Sequence, residues 1–176
     1  TGTYTFNNLS LTSTAPTEVR YKRIQNDIIV NGNFSASNSG GDETIRLYVD
    51  IYENEINGGN NFSLASNVWL LTSGINSFEN TVAGFSGSKT FDVNSTVRFN
   101  RTVNGSNQNI PGSGLTYGNI EIYGSNDKIP QDNLDVNGDF SAVGQVPVLT
   151  DNSHQIQVAG DWNMNFNTTD LTGNCV

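Results

Sequence analysis

The sequence predicts an all-β chain folded as a right-handed parallel β-helix, a solenoid of short strands wound into stacked coils. Three observations point there. Charged residues make up 14% of the chain, well under the roughly 25% of an average globular protein. Asn, Ser, Thr and Gly carry the polar surface instead, and these are poor residues for helix interiors. A short echo links "LDVNGDFSA" (Leu134 to Ala142) to "IQVAGDWNM" (Ile156 to Met164), where Leu134, Val136, Gly138, Asp139 and Phe140 align with Ile156, Val158, Gly160, Asp161 and Trp162. That offset of 22 residues suits one coil of three short strands, too small to bury its apolar side chains except by stacking on its neighbours. A longer echo links "VNGNFSA" at Val30 to "VNGDFSA" at Val136, and "NNLSL" (Asn7 to Leu11) to "GNIEI" (Gly118 to Ile122).

The segments follow in order. "NNLSL" alternates as a strand, and "TEVRYKR" (17–23) reads as a longer turn that absorbs the spacing difference between the two long echoes. From Ile28 to Ala36 the apolar parity Ile28, Val30, Gly32, Phe34, Ala36 runs unbroken through Asn31-Gly32. Such alternation predicts one strand crossing the Asn-Gly rather than a hairpin, with Gly32 marking a bend or close approach. "TIRLYVDIY" places Ile45, Leu47, Val49 and Ile51 against Arg46, Tyr48, Asp50 and Tyr52. "INGGNNFSL" (Ile56 to Leu64) echoes the first seven-residue copy with one extra residue, and "NVWLLTSG" is a short buried strand ending at Gly74. "KTFDVNSTVRFN" alternates through Phe91, Val93, Ser95, Val97 and Phe99. Stacked coils place equivalent residues about 4.8 Å apart, so Phe140 is expected on Trp162 and Val136 on Val158. The alternative fold is an antiparallel β-sandwich using the same strands with hairpin turns.

A length of 176 residues fits a single domain, 1–176, with internal copies at about 4–36 and 96–142. The chain opens on Thr1, without an initiator Met, and contains no long apolar run. It is therefore expected to be a processed export product or a piece of a longer surface protein. The net charge is −9, with eight basic residues. That balance disfavours nucleic acid and insertion into anionic membranes. One cysteine, Cys175, permits neither an internal disulfide nor a cysteine-based metal centre.

No catalytic group stands out. His154 is the only histidine, and beyond Asn104 Lys128 is the only basic residue, beside "SND" in an expected turn. A polysaccharide lyase pairs calcium-binding acids with a basic proton acceptor, so the residues favour a non-catalytic module, with a carbohydrate-active or carbohydrate-binding β-helix as the alternative and a phage tail fibre as a further one. Phe34, Phe62, Phe140 and Trp162 lie on the apolar parity and are expected in the core. Tyr48 and Tyr52 lie on the opposite parity and are the candidates for ligand contact. Asp139 and Asp161 are equivalent across the 22-residue offset. Two carboxylates at that spacing repel, and with Asp135 nearby and Asp151 in the preceding turn they form a candidate Ca²⁺ site. No other cofactor is expected. Asn-x-Ser/Thr sites, for example at Asn33, Asn61, Asn104 and Asn167, follow from the composition.

The stretch from Ser95 to Phe140 carries Thr96, Val97, Phe99 and Asn100, then Gln108, Ile110 and Pro111, then Tyr117, Asn119 and Ile120, then Lys128 and Ile129, and finally Leu134, Val136, Asn137, Gly138 and Asp139. In that order these residues resemble a recurrent unit of large Bacteroidota surface proteins: "T-V-x-F-N", "Q-x-I-P", "Y-x-N-L", "K-x-L" and "L-x-V-N-G-D". Ile120 stands where that unit has Leu, and the copy from Tyr4 to Phe34 lacks "Q-x-I-P". The resemblance implies an exported, adhesin-like β-solenoid of the type IX secretion class, used in attachment or gliding. Its partners would be an extracellular surface or glycan and neighbouring repeats of the same chain.

Overall fold

A computed structural model describes residues 3–14, 17–40, 44–102, 106–144 and 149–164. Cys175, Asn104 and Asn167 lie outside these residues. Every strand pairing among them is parallel, so the chain is a parallel β-solenoid and the antiparallel sandwich is excluded. The first coil is β1 (Tyr4–Phe6), β2 (Leu9–Ser13) and β3 (Arg20–Arg23). The second is β4 (Ile28–Val30), β5 (Phe34–Asn38) and β6 (Leu47–Tyr52), and the third β7 (Ile56–Asn57), β8 (Phe62–Leu64) and β9 (Val68–Thr72). The fourth opens on a helix, α1 (Ser77–Gly84), before β10 (Lys89–Phe91) and β11 (Thr96–Phe99). The fifth is β12 (Gln108–Ile110), β13 (Thr116–Tyr117) and β14 (Asn119–Tyr123), and the sixth β15 (Lys128–Pro130), β16 (Leu134–Val136) and β17 (Phe140–Val143). A bridge from Leu149 to Lys128, β18 (Ile156–Val158) and β19 (Trp162–Met164) form the last.

These elements stack into three faces. The third face is one continuous sheet, β3-β6-β9-β11-β14-β17-β19. The second runs β2-β5-β8-β10 and continues as β13-β16-β18, with β10 packed on β13. The first runs β1-β4-β7, is interrupted by α1, and resumes as β12-β15. Coil length varies more than the expected 22 residues. Thr116 lies beside Asp135, 19 residues on, whereas Phe34 lies beside Phe62, 28 residues on. The extra length is extruded at corners and in the helix.

Inward positions build one core. Phe34, Phe62, Val97, Ile120, Val136 and Phe140 are all at most 1% exposed. The 22-residue echo is the true register: Leu134 pairs with Ile156, Val136 with Val158 and Phe140 with Trp162. The Phe140 and Trp162 rings stack at 4.8 Å with 13° between their planes, and Phe34 stacks on Phe62 at 5.0 Å.

Several local expectations are corrected. "VNGNFSA" and "VNGDFSA" are corners and not strands: β4 stops at Val30 and β5 starts at Phe34, while β16 stops at Val136 and β17 starts at Phe140. Parity survives the corner because side chains on both sides still turn inward, so periodicity alone cannot separate a bent strand from two strands. "KTFDVNSTVRFN" likewise breaks between Phe91 and Thr96, leaving Val93 50% exposed. "TEVRYKR" does not form a turn along its length; its second half is β3. Ile56 pairs with Ile28, and Phe62 with Phe34, with no extra residue between them.

The two seven-residue copies also occupy different corners. The first joins the first face to the second, and the second joins the second face to the third. "NNLSL" in β2 and "GNIEI" in β14 show the same displacement by one face. The motif is therefore a recipe for a corner, wherever the corner falls.

Candidate functional site

The corner chemistry explains the repeated letters. Asn8 Oδ1 accepts the backbone N–H of Asn33 at 2.8 Å, Asn33 Oδ1 accepts that of Asn61 at 3.3 Å, and Asn61 Oδ1 accepts that of Ser88 at 2.9 Å. At the next corner Asn119 Oδ1 accepts the Asp139 N–H at 2.7 Å, and Asp139 Oδ1 accepts the Asp161 N–H at 2.8 Å. Each side chain satisfies an amide that leaves the strand ladder at the bend. The glycine before the ladder residue leaves room for this: a Cβ at Gly32, Gly138 or Gly160 would fall against Oδ1 of Asn8, Asn119 or Asp139.

Two of the three acids offered as calcium ligands belong to this ladder. Asp139 and Asp161 do sit one above the other, but Asp139 Oδ1 is engaged by the Asp161 amide. Asp135 lies on the second face, where its Oδ2 accepts the Thr116 hydroxyl at 2.8 Å. Asp151 closes its own turn, with Oδ1 accepting the Ser153 N–H at 2.9 Å. Among the described residues no three His, Cys, Asp or Glu side chains gather closely enough to hold a metal ion.

The outward side of the third face carries an aromatic and charged column. Tyr48 stacks on Tyr21 at 4.7 Å and 8°, and leans on Trp69 at 5.7 Å. The guanidinium groups of Arg46 and Arg98 lie 4.3 and 4.8 Å from the Trp69 ring centroid, within cation–π range. Arg98 pairs with the buried Glu121 at 2.5 Å. Burial raises the Glu121 pKa, and Arg98 opposes that rise. Tyr48 thus spends its ring faces inside the stack. Tyr52 is 52% exposed and takes a φ of +53° where β6 loses register with β9.

Lys128 is not in a turn. It opens β15 at 0% exposure, and its Nζ donates to Asn126 O at 2.8 Å and Arg101 O at 3.4 Å. Burial lowers its pKa to about 8. Gln108, its neighbour one coil back, serves the same corner, donating from Nε2 to Thr72 O at 2.8 Å and Gly74 O at 3.2 Å. Both side chains are tied to backbone carbonyls, so Lys128 has a structural task.

A cleft lies where α1 interrupts the first face. It holds about 350 Å³ and is floored by Val82, Pro111 and Leu115, with Glu79, Lys89, Gln131 and Asp132 at its rim. The helix makes the cleft by replacing a strand. Thr81 Oγ1 accepts the Ile56 N–H of β7 at 3.0 Å, and on the other side Asn109 N–H donates to Ile75 O at 3.0 Å. Phe78 anchors the helix among Phe62, Phe91, Phe99 and Tyr117. The Tyr117 hydroxyl donates to Pro111 O at 2.5 Å and so holds the loop that forms the far wall. Burial, and then the nearby Glu79 charge, raise the Tyr117 pKa well above its usual value. A shallower polar track of about 370 Å³ continues past Gly114 along the second face, between Thr116, Asn133, Asp135, Gln155 and Gln157. Sequence reasoning missed this cleft. Its signals were the Asn76-x-x-Glu79 spacing of a helix start and the Phe78–Val82 pair at one helical turn.

No family model, curated protein or solved structure matches this chain. No helix among the described residues is long and apolar enough to cross a membrane.

Proposed function

We propose that this chain is a non-catalytic module of an exported cell-surface protein that presents binding surface on a rigid rod and serves attachment. The carrying observation is the set of uncharged polar rows along the axis. On the second face Ser10, Ser35, Ser63 and Thr90 lie in register on four successive coils. At the adjoining corner Asn8, Asn33 and Asn61 do the same. Such rows repeat polar groups at the coil spacing of about 4.8 Å, the hydroxyls facing out beside Asn oxygens that already accept the corner amides. A ligand meeting them makes many weak hydrogen bonds across coils. The resemblance of Ser95–Phe140 to Bacteroidota surface units supports the same reading, and with it export by the type IX route.

The test is the location and effect of the protein in the cells that make it. Antibody labelling of intact cells and its loss on brief external protease treatment are expected, with a deletion strain attaching less to polysaccharide-coated surfaces. Labelling only after lysis would overturn the proposal.

A further inference from the structure

We infer that the cleft beside α1 is a binding site for a neutral oligosaccharide, with one sugar unit in the enclosed part and its neighbours along the polar track of the second face. The inference rests on the attachment reading and names the ligand for it. The floor and the rim argue it together. Val82, Pro111 and Leu115 offer an apolar patch, which suits the C–H face of a pyranose ring. The rim carries both charge signs, Lys89 as donor and Glu79 and Asp132 as acceptors. Gln131 donates from Nε2 to Asn109 Oδ1 and Ile129 O and so offers its Oε1 as a further acceptor. A strongly anionic ligand would meet the two carboxylates, and a strongly cationic one would meet Lys89. A polyhydroxyl ligand uses all of them, because each hydroxyl both donates and accepts.

The volume of about 350 Å³ falls at the small end of ligand pockets, a size suited to one or two sugar rings. A second observation extends the ligand beyond the pocket. The track that leads away from it past Gly114 is lined by Thr, Asn, Asp and Gln side chains. Gly114 sits between the two at φ +68°, and a Cβ there would meet nothing within 4 Å. The passage from pocket to track is therefore open, and a linear chain can lie through it. The walls are held from behind by the Tyr117–Pro111 hydrogen bond and by Phe78 in the core, so the site is preformed.

The test titrates the ¹⁵N-labelled chain with three neutral β-1,4-linked hexasaccharides, of glucose, xylose and mannose, and with hexagalacturonate. At least one neutral hexasaccharide is expected to shift the amide signals of Ser113, Gly114, Leu115 and Gln131. Lys89→Ala and Gln131→Ala, both at the rim and outside the core, are each expected to weaken it about fivefold, the loss of one hydrogen bond. Val143→Ser, exposed on the third face, is expected to leave it unchanged. No binding by any neutral hexasaccharide, shifts confined to the third face, or preference for hexagalacturonate would each overturn the site. Surface labelling with no hexasaccharide binding removes the ligand and leaves the attachment reading. Binding by a protein found only inside cells does the reverse.

Discussion

Asp139 does for Asp161 what Asn33 does for Asn61: one side-chain oxygen takes the amide that the corner frees. The charge is not needed for that work. Asp139→Asn is therefore expected to leave stability within about 0.5 kcal/mol of the parent, and to gain slightly from relief of repulsion with Asp161, whereas Asp139→Ala should lose about 1 kcal/mol. Urea unfolding of both variants checks this, and an asparagine variant as damaged as the alanine one would mean the charge matters. Lys128 shows the limit of reading residues singly. A lysine beside "SND" reads as part of a turn, yet it is fully buried and its head caps carbonyls. Its folded pKa of about 8 lies below the unfolded value of about 10.4. Between those values the unfolded chain binds more protons, so this group makes stability rise with pH. Tyr117, raised by burial, acts in the opposite sense above about pH 10. From pH 8 to 9.5 the parent should gain stability relative to Lys128→Met, and parallel pH profiles would refute the assignment.

At the scale of elements, the strands were legible and the joints were not. The Phe140–Trp162 register could be read because five of nine positions are alike across one coil. The corners could not, because the inward parity continues around them and the glycine that marks them also signals a bend within a strand. The helix was hidden for a different reason. It has eight residues, and no side-chain hydrogen bond caps its start; Asn76 Oδ1 instead accepts Asn109 Nδ2 at 2.8 Å. Its fit depends on two partners far off in sequence, Ile56 and Asn109. Thr81→Val should leave the Ile56 amide buried and unpaired at a cost of about 1–3 kcal/mol, and Thr81→Ser should recover most of it. Phe78→Ala should cost about 3–5 kcal/mol. A mild Thr81→Val variant, seen by thermal or urea unfolding, would mean the helix is not hydrogen-bonded into the strand stack. The cleft escaped sequence reading because α1, β10, the 111–115 loop and the 131–132 turn each supply one wall.

At the scale of the whole molecule, the first coil is the outermost layer of the stack among the described residues. β1, β2 and β3 each terminate their sheets on the same side, and Tyr4, Phe6, Leu9, Leu11, Ile24 and Ile28 line a shallow hollow of about 320 Å³ there. Free edges invite further strands unless charge or shape discourages them. Here the discouragement lies on β3, all of whose residues are exposed. Arg20 pairs with Glu18 and Arg23 with Asp50. Replacing Arg20 and Lys22 together by Ser is expected to raise self-association in sedimentation velocity, while Arg23 keeps Asp50 neutralised. An unchanged sedimentation profile would show that the edge is protected by something other than charge.

The displacement of the sequence copies by one face fixes a screw. From one copy to the other the chain advances four coils and one face further, a whole number of revolutions plus about a third. In a filament of such units joined end to end, each successive copy would aim its cleft about a third of a revolution from the last. Three copies would bring it back to the starting azimuth. If the proposed attachment role holds, a fibre laid out this way would offer a binding mouth to whatever surface it touched, with no need to roll.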